Sequence, residues 1–187
     1  MNILIAGVTC SGKTTLANKI SNACIMSQDN YFKDLKDIPK YRGRYLMDSV
    51  NAFKHDEYYQ DAKYLLQHNQ VEIPRYDLSS NRRISKDLLL LKKELVIFEG
   101  LHAIRILNGL PDSLKVFLLV DLEECLKRRI ERDSELYNVP AIVIREYFDE
   151  CVIPMYKEYI YPQIEIADLV IREGDDAKCL LKKYIRS

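Results

Sequence analysis

The segment "ILIAGVTCSGKTTLA" at positions 3–17 constrains this chain more than any other. An apolar run, Ile3–Ala6, leads into a loop carrying glycine, lysine and threonine, and a helix-like stretch follows. The pattern G-x-x-x-x-G-K-T falls on Gly7, Gly12, Lys13 and Thr14. Strand, tight loop and helix form the context in which that pattern makes a P-loop. The two glycines let the backbone curl so that N–H groups along Val8, Thr9, Cys10 and Ser11, and on to Thr15, point at phosphate oxygens. Lys13 is expected to bridge the β- and γ-phosphates, and the Thr14 hydroxyl to ligate Mg²⁺. An ordinary glycine turn has no need of lysine, hydroxyl and upstream strand in register. Binding of ATP or GTP is the reading that follows.

Composition narrows the rest. At 187 residues the chain suits a single domain with a sizeable core. Its 28 basic and 28 acidic residues cancel, and no basic block stands out, so nothing electrostatic favours nucleic acid as a partner. No apolar run of membrane-spanning length occurs, and the first strand begins too early to leave room for a signal peptide. The five cysteines are scattered, odd in number and without a C-x-x-C pair, which points to reduced thiols in a cytoplasmic protein. Cys10 lies inside the P-loop, but its neighbours supply no reason to make it catalytic.

Apolar, β-branched runs alternate with helical patterns, the signature of an α/β protein with a mainly parallel sheet. Residues 14–22 read as a helix and 24–29 as a short strand ending in a polar tip. Residues 37–49 read as a mobile loop. Residues 51–68 read as a helix with Ala52, Tyr59, Ala62, Leu65 and Leu66 facing inward. The stretch 70–84, with its proline, reads as a small hairpin or flap. "LVIFEG" (95–100) and "KVFLLV" (115–120) are continuous apolar runs closed by polar residues, hence central strands. Residues 122–133 and 141–160 read as helices, the second broken near Pro154. A last strand at 167–171 and a closing helix at 175–185 complete the pattern.

In open α/β sheets ligands sit beyond the carboxyl ends of the strands. Asp29, Glu99 and Asp121 occupy such ends. Glu99, after four apolar residues, has the setting of an acid that holds Mg²⁺ or tunes its ligand shell; a carboxylate capping a neighbouring helix is the other reading. Asp29 is placed to accept the proton of a substrate hydroxyl, or else to shape a turn. Asp121 suits an N-cap for the helix at 122–133. That helix carries "CLKRRIERD", and spacings of three and four put Arg128 or Arg129 on one face with Arg132. Such a face is either solvated or, opposite a P-loop, a lid whose cations neutralise charge developing on a transferred phosphate.

Seven segments, "GVTCSGKTTLA", "SQDNYF", "IPRYDLSSNRR", "VIFEGLHAI", "CLKRRIERD", "VIPMYKEYIYP" and "ADLVI", resemble in order the uridine kinase family of P-loop nucleoside kinases. That family also contains phosphoribulokinase-like and nicotinamide riboside kinase-like members. The resemblance covers nearly the whole chain. It implies a P-loop NTPase fold similar to nucleoside monophosphate kinases: a five-stranded parallel sheet flanked by helices, with a small flap and lid. It also implies transfer of phosphate from ATP or GTP, with Mg²⁺, to the 5′-hydroxyl of a ribonucleoside. Asp29 matches the family's general base and Asp48 the aspartate that binds the ribose hydroxyls. Tyr76 matches an aromatic residue lining the nucleoside pocket, and Arg83 the arginine that ends its motif. Arg128, Arg129 and Arg132 fall on the lid helix, and Glu99 on the Mg²⁺ side. A small-molecule nucleoside is the implied partner, and a homo-oligomer is compatible with the resemblance.

Two positions depart from the family's pattern. Asn81 stands where uridine kinases carry a histidine that reads the pyrimidine edge, and an asparagine hydrogen-bonds at a different reach. Tyr137-Asn138-Val139 replaces an R-G-R element, with Arg145 as a candidate substitute cation. "GVTCSGKTTLA", "EECLKRR" and "YFDECVIPMY" also resemble the nicotinamide riboside kinase branch, which leaves the base open. A nucleotide-binding regulator without transfer activity is the alternative from another class. Asp29, Asp48 and Glu99 together argue against it.

Overall fold

The computed structural model describes residues 1–184, without the side chains of residues 85 and 86. In chain order, β1 (Asn2–Gly7) runs through the P-loop into α1 (Lys13–Asn18), and β2 (Ala23–Ser27) into a 3-10 turn at Gln28–Tyr31. A two-residue ladder, β3 (Lys40–Tyr41) with β4 (Arg44–Tyr45), precedes α2 (His55–His68). The hairpin β5 (Gln70–Asp77) and β6 (Arg82–Leu91) leads to β7 (Leu95–Glu99), α3 (Ala103–Leu107) and β8 (Ser113–Leu119). Then come α4 (Leu122–Tyr137), α5 (Ala141–Tyr147), α6 (Ile153–Met155), β9 (Leu169–Arg172) and α7 (Ala177–Lys182).

The main sheet has five strands in the order β2-β7-β1-β8-β9, every neighbour parallel. Its middle explains the continuous apolar runs. Ile3 and Ile5 point to one face, among Ile97 and Val116; Leu4 and Ala6 point to the other, among Phe98 and Phe117. Helices cover both faces, so neither register of the alternation can be polar. Each fully buried Ile or Leu of this kind contributes roughly 1.5–3 kcal/mol.

The same register sets the site. Ile5 lies opposite Glu99, and Glu99 opposite Ser27. The P-loop, Glu99 and the turn holding Asp29 therefore leave the sheet at one edge.

Several boundaries differ from expectation. Helix α1 stops at Asn18, and Asn22 takes a left-handed φ of 56° in the turn before β2. On α2 it is Tyr58 that is fully buried, its hydroxyl donating to Met26 O at 3.3 Å, while Tyr59 is only half-buried. The segment 37–49 contains the β3–β4 ladder and is fastened to α5 and the turn after it, where Arg44 pairs with Glu146 (2.8 Å) and Glu150 (3.4 Å). The flap hairpin continues to Leu91. Near Pro154 the helix widens into π turns at Phe148–Val152 and Tyr156–Ile160 instead of breaking. Ile153 N–H donates to Phe148 O, a bond one residue longer than the α pattern, so the ladder is already loosened where the proline lacks a donor. Residue 185 of the expected closing helix lies outside the described residues.

Candidate active site

The strand ends open into a cleft of about 1600 Å³. Small-ligand pockets typically hold some 300–1,000 Å³, so this volume suits two ligands end to end better than one. The P-loop from Thr9 to Thr15 forms one wall. Gly7 and Val8 lie behind it and do not line the cleft. Their role is structural: a Cβ on Gly7 would come within 2.8 Å of both Leu118 O and Ser11 Oγ, and Val8 O accepts a 2.8 Å hydrogen bond from Lys13 Nζ. The ammonium of Lys13 is thus folded back across the loop. Gly12 caps α1 at a left-handed φ of 93°, and no side chain satisfies the first-turn N–H groups. Ser11 Oγ is buried without a hydrogen-bond partner among the described residues. Open N–H groups, an orphan hydroxyl and a lysine at the rim are what a polyphosphate would complete.

Across from the loop stand three carboxylates, Asp29, Asp48 and Glu99. Asp29 sits in the turn after β2, where Ser27 Oγ accepts its N–H at 3.3 Å. Burial pushes the Asp29 carboxyl up to about 6; Glu99 and Asp48 add to the rise, while Lys13 and Arg132 oppose it. A carboxylate poised near neutrality is suited to general-base work. Glu99 ends β7 almost fully buried. Asp48 lies at the end of the β3–β4 segment, 4% exposed, and its carbonyl accepts a 3.0 Å bond from His102 Nε2. His102 is fully buried, and burial lowers its imidazole to about 3, so it stays neutral. Its backbone N–H donates to Gln28 Oε1 at 2.9 Å. Gln28 precedes Asp29, so one chain of bonds, Gln28 to His102 to Asp48, ties the two acceptor-side aspartates to the loop after β7.

Helix α4 supplies Arg128, Arg129 and Arg132 to the cleft. Asp121 caps it as expected, accepting from Glu123 N (2.9 Å) and Glu124 N (3.3 Å). Arg128 is engaged at both ends, Nε by Glu124 (2.9 Å) and Nη2 by Glu173 (2.7 Å). Arg129 and Arg132 both donate through Nε to Asp133. Arg129 also lies over the Tyr147 ring, 5.1 Å from its centroid. Tyr137 and Val139 line the cleft beyond these cations, and Arg145 pairs with Glu123 at 3.6 Å and does not line it.

On the flap, Asn81 reaches the cleft from the hairpin turn, at a left-handed φ of 51°. The turn is built by Asp77, whose carboxylate accepts from Ser79 N and Oγ and from Ser80 Oγ. Two residues expected at the nucleoside are placed elsewhere. Tyr76 is buried against Phe32, ring centroids 5.3 Å apart, and Phe32 is the ring that lines the cleft. Arg83 points outward and pairs with Glu57. Tyr76 and Arg83 are opposite each other in the hairpin, and only its turn, Leu78, Ser79 and Asn81, reaches the cleft. Gln28, Phe32, His102 and the wall from Arg172 to Lys182 carried no local signal, since a glutamine or a lone histidine is ordinary in any core.

For a divalent cation, Thr14 and Glu99, which both line the cleft, would provide a hydroxyl and a carboxylate. Among the described residues no cluster of three His, Cys, Asp or Glu could hold a metal alone. That donor set fits Mg²⁺, which keeps several waters and is bound by one or two protein oxygens with substrate phosphates.

The model of the Phosphoribulokinase / Uridine kinase family matches residues 2–179. A uridine kinase from Staphylococcus epidermidis is 33% identical over 184 residues, covering 93% of this chain and 88% of that protein. One from Borrelia hermsii is 32% identical over 197 residues, covering 98% and 93%. The phosphoribulokinase from Rhodobacter spheroides superimposes with a TM-score of 0.60 over 91% of this chain and 70% of its own, at 15% identity, a likeness of fold.

Proposed function

Because the chain belongs to the phosphoribulokinase / uridine kinase family, we propose that it is a uridine kinase-like nucleoside kinase, an ATP-dependent phosphotransferase. The observation that carries the reading is the facing of a P-loop by three carboxylates, Asp29, Asp48 and Glu99, across one cleft large enough for donor and acceptor. A protein that merely senses nucleotide has no use for the second half.

The donor's polyphosphate lies along Thr9 to Thr15, with Lys13 at its outer phosphates. Asp48 takes the ribose diol of uridine or cytidine, a pairing of carboxylate with two hydroxyls. The base lies between Phe32 and the flap tip at Asn81. Asp29 orients the 5′-hydroxyl and accepts its proton as that oxygen bonds to the γ-phosphorus and the bond to the β-phosphate oxygen breaks. Thr14 and Glu99 would hold Mg²⁺, which would supply charge neutralisation at the transferring group. Arginines of α4 neutralise the same charge from the opposite side, and closing the cleft keeps water from competing.

A coupled assay with ATP and Mg²⁺ across uridine, cytidine, adenosine, nicotinamide riboside and no acceptor tests this. Uridine or cytidine turnover well above the blank is expected. Turnover of nicotinamide riboside alone would move the acceptor, and no turnover on any nucleoside would overturn the reading.

A further inference from the structure

We propose that Asp133 is a positioning residue: it grips Arg129 and Arg132 by their Nε atoms and so aims both guanidinium forks into the cleft. This rests on the kinase reading above. A carboxylate and an arginine frequently pair one to one through two parallel N–H···O bonds. Asp133 does otherwise. Its Oδ1 accepts from Arg132 Nε at 2.7 Å and its Oδ2 from Arg129 Nε at 3.3 Å. One carboxylate therefore holds two cations and leaves their terminal nitrogens unspent.

Where those nitrogens go supports the assignment. Arg129 Nη1 is buried with no hydrogen bond among the described residues, 3.7 Å from Asp48 Oδ2. Arg132 is half-exposed, pairs among the described residues with Asp133 alone, and its charge is felt at Asp29. Arg128 is the contrast: Glu124 and Glu173 occupy both its ends, making it a strut between α4 and the segment after β9. Of three cleft arginines, the two whose terminal nitrogens make no hydrogen bond among the described residues are the two that Asp133 holds. At a spacing of three on one helix they would otherwise repel.

Asp133 is itself well fixed. It is 9% exposed, and its carbonyl accepts from Asn138 N where α4 ends in a left-handed cap. Ser134 Oγ donates to Val139 O at 3.0 Å in the same turn. The end of α4 thus anchors the carboxylate, and the carboxylate sets the cations.

The test is Asp133→Asn, of the same shape but uncharged, with Asp133→Glu as the charged control and Arg132→Ala as the partner. Three readouts are compared: uridine kcat and KM, the ratio of ATP to ADP affinity by calorimetry, and the thermal midpoint. The affinity ratio reports contacts to the γ-phosphate and needs no acceptor. Asp133→Asn is expected to lower kcat about 10²-fold, as loss of one preorganised electrostatic group does. The ATP/ADP ratio should fall with it, and Asp133→Glu should recover part of both; the midpoint should also fall in Asp133→Asn, because a carboxylate shared by two arginines is lost. In the Arg132→Ala background the same substitution should cost less than it does in wild type, because only Arg129 is then left for Asp133 to hold. Unchanged kcat and ratio, or losses that multiply independently in the double variant, would overturn the proposal. So would losses that merely follow the midpoint. If Asp133→Asn does not fold, Asp133→Glu enters the cycle in its place. A wild-type protein that phosphorylates no nucleoside would sink the kinase reading, while the affinity ratio still decides on Asp133.

Discussion

Arg129 Nη1 and Asp48 Oδ2 lie 3.7 Å apart, their side chains 14% and 5% exposed, and the pair joins α4 to the loop that carries the acceptor-side aspartate. A ribose diol seated on Asp48 must therefore meet Arg129 as well. Asp48→Asn keeps the volume and removes the charge. It is expected to raise the nucleoside KM by about 10- to 100-fold, the worth of one or two hydrogen bonds to a charged group. The KM for ATP should stay nearly constant. Steady-state kinetics with each substrate varied in turn checks this, and equal effects on both would remove Asp48 from the acceptor site.

Asp29→Asn should lower kcat steeply, by about 10²–10⁴-fold, with ATP affinity nearly intact. The same change should stabilise the metal-free protein. Burial holds the Asp29 carboxyl at about 6, above its usual value of 3.8, so the folded state keeps its proton to higher pH than the unfolded chain does. Stability is then full below about pH 4 and falls by about 3 kcal/mol as pH rises from 4 to 6. Removing the carboxylate removes that loss. In EDTA the variant should melt above wild type at pH 7.5, and the gap should close by pH 4. With Mg²⁺ present its charge favours the ionised form, so the acid limb of kcat/KM should fall below 6.

Gly100→Ala should be costly although it lies outside the cleft. An added Cβ would collide with Cβ and Oε1 of Gln28, whose Oε1 receives the His102 N–H. Overpacking of a buried site costs about 1–3 kcal/mol. Because His102 holds the Asp48 carbonyl, the nucleoside KM should rise together with the loss of thermal stability. A variant of wild-type stability and KM would show that this chain of bonds does not transmit.

Asn81→His should change base preference alone. The residue sits at a left-handed φ of 51°, a region that asparagine and histidine both tolerate better than most residues. The fold should persist, and the ratio of uridine to cytidine kcat/KM should shift by about 10-fold or more while the KM for ATP stays put. Asn81→Val, β-branched at the same φ, should instead destabilise the hairpin turn.

Local pattern made much of this protein legible. Ile3–Ala6, 95–98 and 116–119 are apolar because strands covered on both faces must be. The P-loop spacing holds because phosphate-facing backbone needs glycine at set intervals, and Asp121 announces the start of α4 as a cap. The flap was visible too, though its facing was not. Tyr76 and Phe32 are both aromatic residues next to the acceptor segment, and only the packing of β5 against the turn after β2 decides which ring meets the cleft. Arg83 and Asn81 differ by two residues, yet one pairs with Glu57 on α2 and the other lines the site.

What the sequence determined by itself is what short-range physics dictates: strand runs, helix starts, a phosphate loop, and carboxylates at strand ends. What the tertiary structure decided is which distant groups share an environment. Asp29 is raised toward neutrality by burial and by the charges of Glu99 and Asp48, residues 70 and 19 positions away. Asp48 is held by His102, and Asp133 turns two arginines toward both. Hydrogen bonds and charge interactions of that kind depend on distance in space, and the register of a parallel sheet, with its long crossovers, sets that distance without any mark in the neighbouring residues.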